Sequence, residues 1–129
     1  MDSEELEVNN PARSGWLLHP EWVARFREEA LVHVAEISQG LEKLPPHLGQ
    51  SEDEEAGLAE HKAVRELYRH AHTIKGSAGM VGLEEIAEQA RQLEELFGQA
   101  LKELAEFNDL QREVVATRTA RLRAALQKA

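Results

Sequence analysis

Apolar residues recur in steps of three and four along most of this chain, and that period commits it to helices with one buried face. After Pro20, which suits a first helical turn, the series runs Val23, Phe26, Ala30, Val34, Ile37, Leu41 and Leu44. Pro45 and Pro46 end it, because proline lacks an amide donor and pushes the residue before it out of helical geometry. A second series, Val64, Leu67, Ala71, Ile74, Ala78 and Val81, is closed by Gly82, a residue suited to the left-handed turn that ends a helix. Its start is open between Ser51, which forms a capping box with Glu54, and a point near Leu58, beyond Gly57. A third series runs Ile86, Ala90, Leu93, Phe97, Leu101 and Leu104, with Glu84 and Glu85 in the first turn, where the helix dipole favours carboxylates. Asn108 with Gln111 marks one more N-cap, before Val115, Leu122 and Leu126, a stripe interrupted by Arg118 and Arg121. The expected fold is all-α: an up-and-down antiparallel four-helix bundle with an additional N-terminal segment. Residues 1–15, acidic and polar without a sustained apolar period, read as a flexible leader, and residues 16–129 as the bundle domain.

Composition narrows the partners. A chain of 129 residues is one domain, too short for a catalytic and a regulatory unit together. A formal net charge of -9 opposes approach to nucleic acid or an anionic membrane and points to a protein partner. Cysteine is absent, which removes disulfides and thiolate metal sites. No apolar run is long enough for a signal segment or a membrane span, so a cytoplasmic location is expected.

The chemistry concentrates between Tyr68 and Gly82. With residues placed about 100° apart, the second apolar series forms an arc roughly opposite His72, and Tyr68, Lys75, Gly76 and Gly79 share the solvent side with it. A lone helical histidine is ordinarily a surface or satisfied core residue, but these neighbours need explaining. Each interior glycine costs a helix on the order of 1 kcal/mol relative to alanine, and both lie on the histidine face rather than the packed one. Gly76 strips bulk from beside the imidazole and lets a phosphoryl group or another backbone come close; the alternative is close approach of the fourth helix. An exposed imidazole is mostly neutral near neutral pH and offers a nitrogen lone pair without a separate base. Lys75 places an ammonium beside the ring, where it offsets incoming phosphoryl charge; taken alone it reads as a solvated lysine. His72 and Glu94 lie at similar distances on either side of Gly82, so at about 1.5 Å per residue they reach similar heights. Glu94 is then placed to accept from the ring's other nitrogen and fix its tautomer. Arg91, at the same height, reads as a surface charge.

The run His72, Thr73, Ile74, Lys75, Gly76, Ser77, Ala78, followed by Gly82, resembles the phosphoacceptor signature of histidine-containing phosphotransfer (HPt) domains. The variant is most similar to the N-terminal domain of chemotaxis sensor kinases of the CheA type. The likeness extends through Phe26 to Ala30, Leu41 to Leu44 and Leu93 to Leu96, covering about residues 20 to 105. It implies that His72 is phosphorylated, that Lys75 and Gly76 support it, and that Glu94 is the carboxylate contacting the ring. In the chemotaxis members a second histidine often precedes that carboxylate by three residues; Arg91 stands there instead, which weakens a relay through a second ring. The resemblance also implies a carrier rather than an enzyme, with a histidine kinase catalytic domain and a response-regulator receiver as partners.

No phosphate-loop, dinucleotide or HExxH pattern is present, so no cofactor and no ATP site are expected, and any magnesium belongs to the partner. Six histidines raise a metal-binding alternative. Their spacing opposes it: His70 and His72 point about 200° apart, and His19, His33, His47 and His61 form no bundle-type pair with a carboxylate, so no metal site is expected. A second alternative is a pseudo-HPt adaptor that docks partners without chemistry. Receiver docking calls for exposed apolar surface beside the histidine, expected at Tyr68, Gly79, Met80 and parts of the first helix. Whether the chain is a stand-alone relay or a piece of a larger kinase is left open by its residues.

Overall fold

The computed structural model describes residues 18–129. The leader expected over residues 1–15 lies outside them. Four helices account for most of the described chain, with no strand among the described residues: α1 (Pro20–Lys43), α2 (Glu54–Met80), α3 (Glu84–Lys102) and α4 (Asp109–Lys128). A short 3-10 turn, Leu104–Glu106, precedes α4. Each helix packs on its neighbour in sequence, α2 against α3 most extensively, and α4 returns against α1 to close the bundle.

The apolar stripes meet at the centre as their period requires. Val34, Ile37, Val64, Leu67, Ile74, Leu93, Phe97, Val115, Leu122 and Leu126 are all essentially inaccessible. Three stripes shift from the sequence reading, the first in α1, where Val23 and Leu41 are only partly covered. In α3 the buried position beyond Phe97 is Ala100, while Leu101 and Leu104 are only partly covered, because the helix ends at Lys102 and the chain turns into the 3-10 segment. In α4 the gap left by Arg118 and Arg121 is filled by Thr119, whose hydroxyl donates to the Val115 carbonyl at 2.7 Å. That bond satisfies a polar group that would otherwise be costly to bury. The interrupting arginines are not in the core; Arg118 instead donates to the Gln92 side chain on α3.

The helix ends show why the chain turns where it does. Pro20 sits at the start of α1, capped by the His19 ring, which accepts from the Glu21 amide. At the other end Arg112 of α4 donates to the Leu44 and Pro45 carbonyls, placing a cation at the negative end of the α1 dipole. The start of α2 corrects the sequence reading. The N-cap is Asp53, whose carboxylate accepts from the Glu55 amide at 3.1 Å, and Ser51 only braces it by accepting from the Asp53 amide. Gly57 lies inside the helix, since an Asp cap two residues later leaves the first turn with Glu54 and Glu55 at the favourable dipole end. Asn108 caps α4 as its spacing with Gln111 implied, accepting from the Gln111 amide at 3.0 Å.

The turn between α2 and α3 fixes the register of the two helices that carry the site. Gly82 adopts φ 82°. Leu83 N–H donates to the Ala78 carbonyl at 2.9 Å and Gly82 N–H to the Gly79 carbonyl at 3.3 Å, the paired bonds of a Schellman ending. An L side chain at this left-handed position costs about 1–2 kcal/mol. Gly82→Ala is therefore expected to lower unfolding free energy by that amount in urea titration; an unchanged midpoint would show that the turn relaxes without strain.

Candidate functional site

The long α2 carries His72 outward because Ala71, Ile74 and Ala78 of the same helix are buried against the bundle. The His72 side chain is 61% exposed. From α3, Leu93 is fully buried, so the next residue, Glu94, stands at the edge of the α2–α3 seam. Its carboxylate is shared. One oxygen lies 2.5 Å from His72 Nδ1, and the other accepts from Lys75 Nζ at 2.9 Å.

This arrangement determines the tautomer. Partial burial alone raises the Glu94 carboxyl, but the hydrogen bonds from Lys75 and His72, with their charges, outweigh it and hold the group below the usual carboxylate range. An ionised carboxylate only accepts hydrogen bonds, so Nδ1 carries the proton and donates. The lone pair then resides on Nε2, at the exposed end of the ring. Lys75 plays a second part here: its bond to Glu94 holds the ammonium group one turn from the imidazole.

Tyr68 is placed differently from the sequence reading. Rather than standing free on the solvent side, it is partly buried across the α2–α3 seam. Its ring lies near-parallel to that of His72, with planes at 9° and centroids 6.2 Å apart. Gly98 of α3 lies against it: a Cβ there would stand 3.5 Å from the Tyr68 ring, at ordinary contact distance. No pattern within either segment signals this contact, because it joins residues of two helices. Lys75, too, is partly covered, its side chain 32% exposed, as its bond to Glu94 requires.

Gly76 and Gly79 face open space. A Cβ at either would meet nothing within 4 Å, which removes close approach of a neighbouring helix as their reason. Met80, 53% exposed, lies just beyond them and shares a groove with Trp22, Arg25 and Phe26 of α1 and Val81. Arg91, at the height of Glu94, is turned away from His72 to Glu88 and Glu95, at 2.7 Å and 2.9 Å. Its hydrogen bonds hold the Glu88 carboxyl down to about 2.

The openness of Gly76 yields a test with two opposite signs. Alanine there adds helix propensity of about 1 kcal/mol without a clash. Gly76→Ala is expected to raise the unfolding free energy by up to that amount while slowing phosphate uptake on His72. A variant both more stable and equally fast would show that the bare surface has no part in transfer.

Fold and site together define a class: a helical bundle that presents an imidazole on its surface. The model of the Hpt domain family matches residues 21–129, and the chain belongs to that family. No curated protein matches the chain. No solved structure matches it either. Hpt domains pass phosphoryl groups through a histidine in two-component phosphorelays and interact with kinases and receiver domains. No described helix is long and apolar enough to cross a membrane.

Proposed function

We propose that this chain is a phosphorelay carrier in which His72 accepts a phosphoryl group from a histidine kinase catalytic domain or a phosphorylated receiver and delivers it to a receiver aspartate. The observation that carries this reading is the Glu94 carboxylate bridging His72 Nδ1 and Lys75 Nζ. It orients the ring, fixes the proton on Nδ1 and leaves Nε2 as the nucleophile. In uptake the Nε2 lone pair forms the N–P bond while the P–O bond to the donor breaks, its electron pair leaving with the donor oxygen. The imidazolium so formed keeps its Nδ1 proton against Glu94, and Lys75 offsets charge on the phosphoryl oxygens. In delivery the receiver carboxylate forms the new O–P bond and the N–P electron pair returns to Nε2.

Receiver docking is assigned to the side of His72 that bears Gly76, Gly79 and Met80, continuing onto Trp22 of α1, which is 47% exposed. Apolar side chains this exposed beside open glycines favour contact with another protein. Tyr68 borders this surface and is assigned mainly to supporting the His72 ring, given its partial burial. The domain is taken as residues 16–129, in the cytoplasm, with similarity to the amino-terminal domain of CheA-type chemotaxis kinases. ATP and magnesium are assigned to the partners, as the carrier contributes only the nucleophile and its supports.

The test is transfer itself. Wild-type chain incubated with candidate kinase domains and ATP, or with phosphorylated receivers, is expected to gain a label that is acid-labile and base-stable and that moves on to a receiver. A chain that binds a receiver without ever taking label would instead be the docking-only adaptor.

A further inference from the structure

A second pair of functional groups lies across the α1–α2 interface, on the side of α2 turned away from His72. His33 of α1 and His70 of α2 meet with their Nδ1 atoms 2.9 Å apart. Their ring centroids are 5.1 Å apart and the planes are inclined by 50°. Both rings are partly buried. At this separation the pair is held by one proton: one Nδ1 donates and the other presents its lone pair. Burial first, and then the neighbouring His33, push the His70 pKa below its ordinary value, against the opposing pull of the Glu36 and Glu66 carboxylates. A second proton on the pair would set two N–H groups against each other, so the contact itself favours two rings sharing one proton.

From this geometry we propose that His33 and His70 form a two-histidine site for a borderline divalent cation, with Zn2+ as the representative ion, clamping α1 to the helix that carries His72. Neutral imidazole is the preferred nitrogen ligand of such ions. Two nitrogens bound tetrahedrally at 2.0–2.1 Å stand about 3.3 Å apart, so the present pair becomes a chelate by separating a few tenths of an ångström and turning both rings until their Nδ1 lone pairs converge beside the line that joins them. The proton between the rings moves to an Nε2 when the ion enters, and both Nδ1 lone pairs then face the metal; no proton need be lost. Glu36 and Glu66 give the surroundings a negative potential, although Arg69 already holds Glu66 at 3.0 Å. Among the described residues no third histidine, aspartate or glutamate closes on the pair. Water therefore completes the coordination, and the ion is an exchangeable clamp rather than a structural metal required for folding.

The metal-free whole chain titrated with Zn2+ in a calorimeter is expected to bind one ion at this site, with affinity reduced at least tenfold in His33→Ala and in His70→Ala but unchanged in His61→Ala. Imidazole nitrogen NMR of the wild type gives a readout independent of any variant: the Nδ1 signals of His33 and His70 should shift together with one equivalent of Zn2+. The ion should also raise the wild-type melting temperature, as any ligand specific to the folded state does, and leave both variants unmoved. Equal affinity in either alanine variant, or shifts confined to the other histidines, would overturn the proposal. Neither result touches phosphate transfer, which is read by label on His72.

Discussion

Replacing His72 with glutamine is expected to abolish phosphate uptake, by more than about 10³-fold, because glutamine has no nitrogen lone pair to attack phosphorus. Folding should be almost unaffected. The His72 side chain is largely exposed and its one protein hydrogen bond is to Glu94, so the change in stability is expected within about 0.5 kcal/mol. Labelling and thermal denaturation on the same preparation separate lost chemistry from lost structure. Undiminished label in a folded His72→Gln protein would transfer the acceptor role to another residue.

The second large effect is expected at Glu94. Glu94→Ala removes the acceptor that holds the Nδ1 proton and the partner that holds Lys75, so the nucleophilic tautomer and the cation are released together. Phosphate uptake is expected to slow by about 10²-fold, the range of a positioned proton-holding group. Glu94→Gln separates the contributions: the amide oxygen still accepts one hydrogen bond but carries no charge, so partial recovery is expected. Equal rates in wild type and Glu94→Ala would remove the carboxylate from the mechanism. The same group carries a pH signature. Because its folded pKa lies below the ordinary carboxylate value, its contribution to stability is present above that ordinary value and is lost as pH falls through the folded one. The stability gap between wild type and Glu94→Ala should thus be widest near neutral pH and close in acid; a gap that widens on acidification would contradict the assigned ionisation.

How much of this is legible in the residues depends on whether the signal is local. The α1 boundary was written in two prolines, the α4 start in Asn108 and Gln111, and the α2–α3 turn in Gly82, since each acts through backbone geometry within one turn. The start of α2 was not decided by such a rule: Ser51, Asp53 and Gly57 all lie within reach of a plausible first turn. Asp53 holds the cap, with Ser51 accepting from its amide. Thr119 escaped the apolar period because its hydroxyl reads as polar until the Val115 carbonyl is seen to satisfy it. Tyr68 and Gly98, and His33 and His70, are each unremarkable within their own helices, and only the packing of one helix on another brings them together.

By itself, the sequence determined the helical period, the faces that pack, the ends set by proline, glycine and asparagine, and the segment that displays His72 with Lys75 and Gly76. These follow from short-range sterics and a periodicity of 3.6 residues, which need no knowledge of the rest of the chain. Only the tertiary structure decided that Glu94, expected beside His72, also holds Lys75, that Tyr68 leans over the seam onto Gly98, and that His33 meets His70. Those contacts depend on the relative height and rotation of separate helices. Beyond the height that the Gly82 turn fixes between α2 and α3, the rotations and registers of the helices are set by the summed packing of the core.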